Sequence, residues 1–136
     1  MSDKYFLDTN ILIYAHTDLD LRKQQLAQQS IMSELTCLST QVLQETANIL
    51  FKKFQFTWPD IQIVLKEAIT NNETHINSAF TVTEACRIAG RYGFSFYDSL
   101  IIAAALESAC SILLSEDMHH GIVIDDKLRI KNPFLD

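Results

Sequence analysis

Glycine and proline are scarce: the 136-residue chain holds three glycines and two prolines. Few residues can therefore break a helix, which fits a helix-rich fold with short connections. Cysteine is limited to Cys37, Cys86 and Cys110, odd in number, far apart and in no metal-ligand spacing. They read as reduced, mostly buried thiols of a cytosolic protein. Long apolar runs are missing too. The strongest, Leu100 to Leu106, is far too short to span a bilayer. The opening Met1-Ser2-Asp3-Lys4 has no basic region leading into an apolar stretch, so no secretory signal and no membrane association are expected. A basic excess is also lacking. Net charge is −6 and the pI about 5.1, which argues against non-specific nucleic-acid binding. A local carboxylate cluster could still hold cations, and cations can recruit phosphate.

What is present is ordinary globular composition, 48 % hydrophobic and 21 % charged. The length suits one domain over residues 1–136, and no repeat, linker or low-complexity tract divides it. Tyr5 to Leu7 reads as a buried strand, Asn10 to His16 as a brief helix and Leu21 to Glu34 as a longer one. Thr36 to Ser39 is a second strand. From Gln41 to Phe54, the residues Leu43, Ala47, Leu50 and Phe54 recur at helical spacing and predict a core-facing stripe. Pro59 in the first turn and Asp60 beside it open a helix through about Asn71. Thr74 to Asn77 is a weak strand. Thr81 or Thr83 can cap a helix to Tyr92 that Gly93 ends. Phe96 to Cys110 is a helix apolar nearly all round, hence central. Ser111 to Leu114 is a strand, and "IVIDDKLRI" a strand and turn near an edge. Strands alternating with helices predict an α/β fold with a mostly parallel sheet covered on both faces. Ligands gather at the carboxyl ends of the strands in such sheets.

Four acids stand out against that frame. Asp8 follows the first strand in "KYFLDTNILIYA", and Asp117 follows the strand in "LLSEDMHHG". Asp98 opens the most apolar helix in "FSFYDSLIIAAAL", and Glu45 sits beside Val42 and Ile49 in "STQVLQETANIL". Each acid also has a structural reading. Asp8 can cap the following helix, Asp98 can meet a helix dipole, Glu45 can be solvated and Asp117 can be a turn acid before Gly121. As a convergent cluster they would repel one another. Divalent cations relieve such repulsion, and hard oxygen donors suit Mg²⁺ or Mn²⁺. The chemistry that follows is metal-assisted hydrolysis of a phosphodiester.

In order, "LDTNILIYA", "VLQE", "FYDSLIIAAAL" and "LLSEDMHHG" resemble the acidic motifs of PIN-domain ribonucleases. VapC-type toxins of type II toxin–antitoxin pairs are similar in size and motif wording. The resemblance covers nearly the whole chain, including the closing "IKNPF". It implies a PIN-like, Rossmann-like, three-layer α/β/α fold. By the same likeness Asp8, Glu45, Asp98 and Asp117 hold one or two Mg²⁺ or Mn²⁺ ions and activate a water that cleaves RNA. Asp8 and Asp98 match the direct ligands, and Glu45 and Asp117 a second ion or the water. Asn10 and Ser115 match small polar positions that orient an acid, although Thr is more usual at the place of Ser115. The resemblance further implies an RNA substrate, a cognate antitoxin seated in a groove near the early helices, and a homodimer.

Other residues are weighed beside these. Arg87 and Arg91, at i, i+4, share a helix face; they suit RNA phosphates, or a solvated face with a salt bridge to Glu84. His119 and His120 are adjacent and so point different ways, which suits an RNA or dimer contact better than a metal. His16 reads as a helix-end residue, Lys52 and Lys53 as surface, and Asp125 and Asp126 as turn residues. Phe56 and Trp58 lie in a connection where an exposed apolar patch would mark a partner site. A housekeeping RNA-processing nuclease and an inactive metal-binding module remain as alternatives. A phosphoryl-accepting receiver domain fits poorly, because Asp8 is followed by Thr9 and Asn10 rather than paired with an acid, and Lys127 lies in a turn.

Overall fold

The computed structural model describes residues 3–33 and 35–135. Glu34, expected to end the second helix, and the opening Met1-Ser2 lie outside them. The strands are β1 (Lys4–Leu7), β2 (Leu35–Ser39), β3 (Glu73–His75), β4 (Ile112–Leu114), β5 (Val123–Ile124) and β6 (Leu128–Lys131). The helices are α1 (Thr9–His16), α2 (Leu21–Ser33), α3 (Thr40–Phe54), α4 (Trp58–Asn71), α5 (Ala79–Tyr92) and α6 (Phe96–Glu107).

The six strands form one sheet in the order β3-β2-β1-β4-β6-β5. All neighbours are parallel except β5, which returns antiparallel on β6. The chain thus builds outward from β1 through β2 to β3, then jumps back past β1 to lay down β4. Right-handed crossovers put the helices of the outward and return journeys on opposite faces. Consistently, α1 packs on α2 and α3, α3 packs on α4, and α5 packs on α6. This is the expected α/β arrangement, and it leaves the reversal of strand order between β1 and β4.

The core forms where apolar periodicity meets this sheet. Phe6 and Leu7 of β1, Leu38 of β2 and Leu113 of β4 are fully buried. Helix α6 buries Ser99 through Ala105 almost all round, as its composition required. Three helix details differ from expectation. Along α3 the buried line is Val42, Thr46 and Leu50, while Leu43, Ala47 and Phe54 flank it, so the stripe is turned by one position. Ser78 rather than Thr81 or Thr83 caps α5, and Thr81 answers it three residues on as the other half of a capping box. Helix α6 stops at Glu107, not Cys110, because Ala109 adopts the left-handed region at φ 57°.

Cys37 and Cys110 are buried and Cys86 is exposed, all three free thiols. Among the described residues no helix is long and apolar enough to cross a membrane.

Candidate active site

At the carboxyl end of β1 the chain must turn at once into α1, and Asp8 makes that turn. Its extended backbone precedes the helix, and its Oδ1 accepts the Thr9 N–H at 2.7 Å. Its own N–H donates to the Leu114 carbonyl at 3.0 Å, tying it to the end of β4. From the loop after β4, the Ser115 hydroxyl donates to Asp8 Oδ2 at 2.7 Å and accepts the Met118 N–H at 3.4 Å. The capping reading of Asp8 is therefore true, but it does not exhaust the residue. The residue is 7 % exposed and has no cationic partner among the described residues. Burial pushes its carboxyl up to about 6, helped by the charges of Asp98 and Glu45, while the bonds from Ser115 and Thr9 pull the other way.

Asp98 sits in the first turn of α6, whose N-cap Ser95 receives the Asp98 N–H at 3.2 Å. Burial raises its carboxyl above the usual range, Ser95 opposes, and Asp117 and Glu45 add to the rise. Asp8 feels Asp98 and Glu45, and Asp98 feels Asp117 and Glu45, so the four acids are linked through one another's charges. Asp117 is exposed and takes a hydrogen bond from Asn10 Nδ2 at 3.2 Å, while Asn10 Oδ1 accepts the Glu116 N–H at 3.3 Å. Asn10 therefore clips the loop after β4 to the first turn of α1.

Glu45 is half-buried on α3 and held from two sides. Thr9 Oγ1 donates to Oε1 at 2.6 Å, and Gln41 Nε2 donates to Oε2 at 3.3 Å and to the Tyr97 carbonyl at 3.1 Å. Thr9 and Gln41 escaped the sequence reading, since neither carries charge. Gln41 lies one helical turn before Glu45, and that i, i+4 spacing was the available signal.

These residues line one open pocket of about 540 Å³, shared by Asp8, Glu45, Asp98 and Asp117 with Asn10, Asn48, Glu116 and Lys53. Glu116 is neutralised: Tyr14 Oη donates to it at 2.6 Å and Lys23 pairs with it. Ser115 lies just behind Asp8. The donor set is hard oxygen throughout, the kind that Mg²⁺ and Mn²⁺ take. Among the described residues no three His, Cys, Asp or Glu side chains are placed to hold an ion by themselves. Such donors suit Mg²⁺, which keeps several waters and takes only one or two carboxylates.

Elsewhere the placements differ. Arg87 and Arg91 of α5 lie outside the pocket lining. Arg87 is bound to Glu84 at 3.1 Å and to Asp125 at 2.6 Å, and Arg91 lies 5.3 Å from the centre of the Tyr92 ring. His119 and His120 are exposed, with His120 Nδ1 accepting the Asn132 N–H at 3.0 Å. Phe51 and Trp58 stack at 4.3 Å and stay partly exposed, whereas Phe54 and Phe56 pack against buried Leu50 and Ile61.

Fold and pocket together define a doubly wound α/β protein with a carboxylate-lined cleft at its switch point. The chain belongs to the PIN domain family, whose model matches residues 5–121. No curated protein matches it in sequence. Among solved structures, a toxin–antitoxin complex from Klebsiella pneumoniae is similar at TM-score 0.70 and 19 % identity, covering 96 % of this chain and 98 % of that one. VapC20 of Mycobacterium tuberculosis, described as a toxin that cleaves the sarcin–ricin loop, is similar at TM-score 0.65 and 19 % identity, covering 80 % and 86 %. DNA-bound VapBC from Salmonella typhimurium gives TM-score 0.65 and 18 % identity, covering 96 % and 98 %. The expected likeness to VapC toxins is thus met in fold.

Proposed function

We propose that this PIN-domain protein is a Mg²⁺- or Mn²⁺-dependent endoribonuclease acting as the toxin of a toxin–antitoxin pair in the cytoplasm. The observation that carries this reading is the meeting of Asp8, Glu45, Asp98 and Asp117 in one pocket at the carboxyl ends of β1 and β4. Family membership and the VapC-like fold support it. Asp8 and Asp98 would hold the cation, with Glu45 and Asp117 taking a second ion or orienting water. A divalent ion bound there supplies positive charge against the phosphate oxygens and acidifies the attacking water.

The chain's own residues set the rest. Ser115 and the Thr9 N–H hold the Asp8 carboxylate with both oxygens engaged, which fixes its plane. Thr9 and Gln41 fix Glu45 in the same way. A carboxylate so fixed can take a proton from water without first reorganising. Water oxygen bonds to phosphorus as the P–O3′ bond breaks. The products are a 5′-phosphate and a 3′-hydroxyl, and the proton lost by water balances the one gained by the leaving oxygen.

The proposed protein partner is an antitoxin segment, together with a second copy of the chain. A second cavity of about 600 Å³ suits an amphipathic segment, with apolar Leu12, Ala15, Ile31 and Ala68 along it beside polar Gln28 and Glu67.

Cleavage of total cellular RNA by purified protein, in Mn²⁺ or in EDTA, tests the reading beside Asp8→Asn and Asp98→Asn. Discrete metal-dependent fragments that both variants lose are expected. No cleavage by antitoxin-free wild type under any divalent metal would replace the nuclease with an inactive metal-binding module.

A further inference from the structure

We propose that Lys53 binds a backbone phosphate of the RNA strand beside the one that is cut; this rests on the nuclease reading above. Lys53 lies in the last turn of α3 and is the one lysine or arginine among the residues that line the acidic pocket. Among the described residues its ammonium has no ion pair and no hydrogen bond, although it shares that pocket with five carboxylates. The other cation beside the pocket is committed. Lys23 pairs with Glu116 and sits 5.0 Å from the Tyr14 ring centre and 5.6 Å from that of Phe134. Arg87 is held by Glu84 and Asp125.

An RNA strand entering this pocket meets four unneutralised acids on a chain of net charge −6. Cations in the cleft offset that repulsion at the reacting phosphate, but its neighbours need a donor of their own. Lys53 is a free, flexible ammonium at the pocket, and a point charge of that kind suits a phosphate. Ile13, Leu19, Ile49 and Phe54 line the same pocket and give its methylene stem and a sugar or base apolar surface to lie on. Lys53 is exposed, as expected of a surface lysine, and its place in the pocket lining adds the proposed phosphate contact to that surface position.

The test begins with the discrete RNA that the wild type cuts. A synthetic oligoribonucleotide spanning that cut is then cleaved by wild type, Lys53→Ala and Lys53→Arg at several NaCl concentrations. Loss of one phosphate contact to a single strand lowers the slope of log(kcat/KM) against log[NaCl] by about 0.7, which is roughly fivefold in affinity at 0.1 M salt. Lys53→Ala is expected to raise KM by that factor with kcat little changed, and Lys53→Arg to restore most of it. Anisotropy of the labelled oligonucleotide with Asp98→Asn protein, with and without Lys53→Ala, reads the same loss without turnover. Thermal melts of the variants exclude misfolding. Unchanged KM and salt slope in Lys53→Ala, with wild type active, would overturn the Lys53 assignment alone. A wild type that cuts no RNA removes both it and the nuclease reading.

Discussion

Neutralising Asp8 should make the metal-free protein more stable while abolishing the proposed cleavage of RNA. The unfolded chain titrates an aspartate near 3.9, roughly its model value, whereas the folded chain holds the Asp8 carboxyl at about 6. Between those values the native state binds more protons than the unfolded state. Stability therefore falls as pH rises through this window and is lowest above the folded value. Below the unfolded value both states are protonated and the penalty vanishes. About two units of difference correspond to about 3 kcal/mol at neutral pH. In Asp8→Asn the amide oxygen still accepts the Thr9 N–H, and the amide nitrogen can donate to Ser115 Oγ, which turns its own proton elsewhere. The charge goes and the contacts stay. With an unfolding entropy of about 2.1 cal/mol/K per residue over this length, that gain is roughly 10 °C in Tm. Calorimetry in EDTA from about pH 4 to neutral should show the wild-type Tm falling relative to Asp8→Asn through this window. Added Mn²⁺ should raise the wild-type Tm and leave the variant nearly unmoved. An Asp8→Asn protein that melts at or below wild type in EDTA at neutral pH, with a parallel pH profile, would refute the buried-charge argument.

Ser115→Ala removes the hydroxyl bond that holds the Asp8 carboxyl down. The fall in metal-free stability should then extend to higher pH, with about 1.5–3 kcal/mol lost at neutral pH in urea titrations. Leu50→Ala empties a fully buried site between α3 and α4 and should cost about 2–5 kcal/mol by the same method. Gly93→Ala forces a side chain into the left-handed region at φ 80°, where α5 ends. It should lose roughly 1–2 kcal/mol in urea, although no neighbour would clash with the added methyl.

The pattern of strands and helices was legible because apolar runs and helical spacing survive in a single sequence. The errors fall where local signals compete. Ser78 and Thr81 are both capping residues, and only the folded backbone decides that Ser78 caps and Thr81 answers it. Ala109 gives no sign of its left-handed backbone, so α6 was read three residues too long. On α3 the buried line includes Thr46, a polar residue that an apolar count passes over. The acids could be singled out because a carboxylate pressed against apolar sequence is anomalous. Thr9 could not, because its bond to Glu45 joins α1 to α3, whereas Gln41 stood one turn from Glu45 and only its second bond, to the Tyr97 carbonyl, comes from far along the chain. The aromatic stretch was half legible: Phe56 turns inward, and the stacked Phe51 and Trp58 are what face solvent.

Asp8 and Ser115 lie 107 residues apart, yet they meet across the adjacent strands β1 and β4. During synthesis the first strand emerges early and waits for the last part of the domain. Until β4 docks, Asp8 has no Ser115 donor, Asn10 has no Asp117 to hold, and the central strand has an open edge. A ribosome that stalls, or a gene cut short, anywhere before residue 115 releases a fragment without the completed cleft. The proposed RNA-cutting cleft would thus be incomplete on the ribosome until residues through Asp117 have been made.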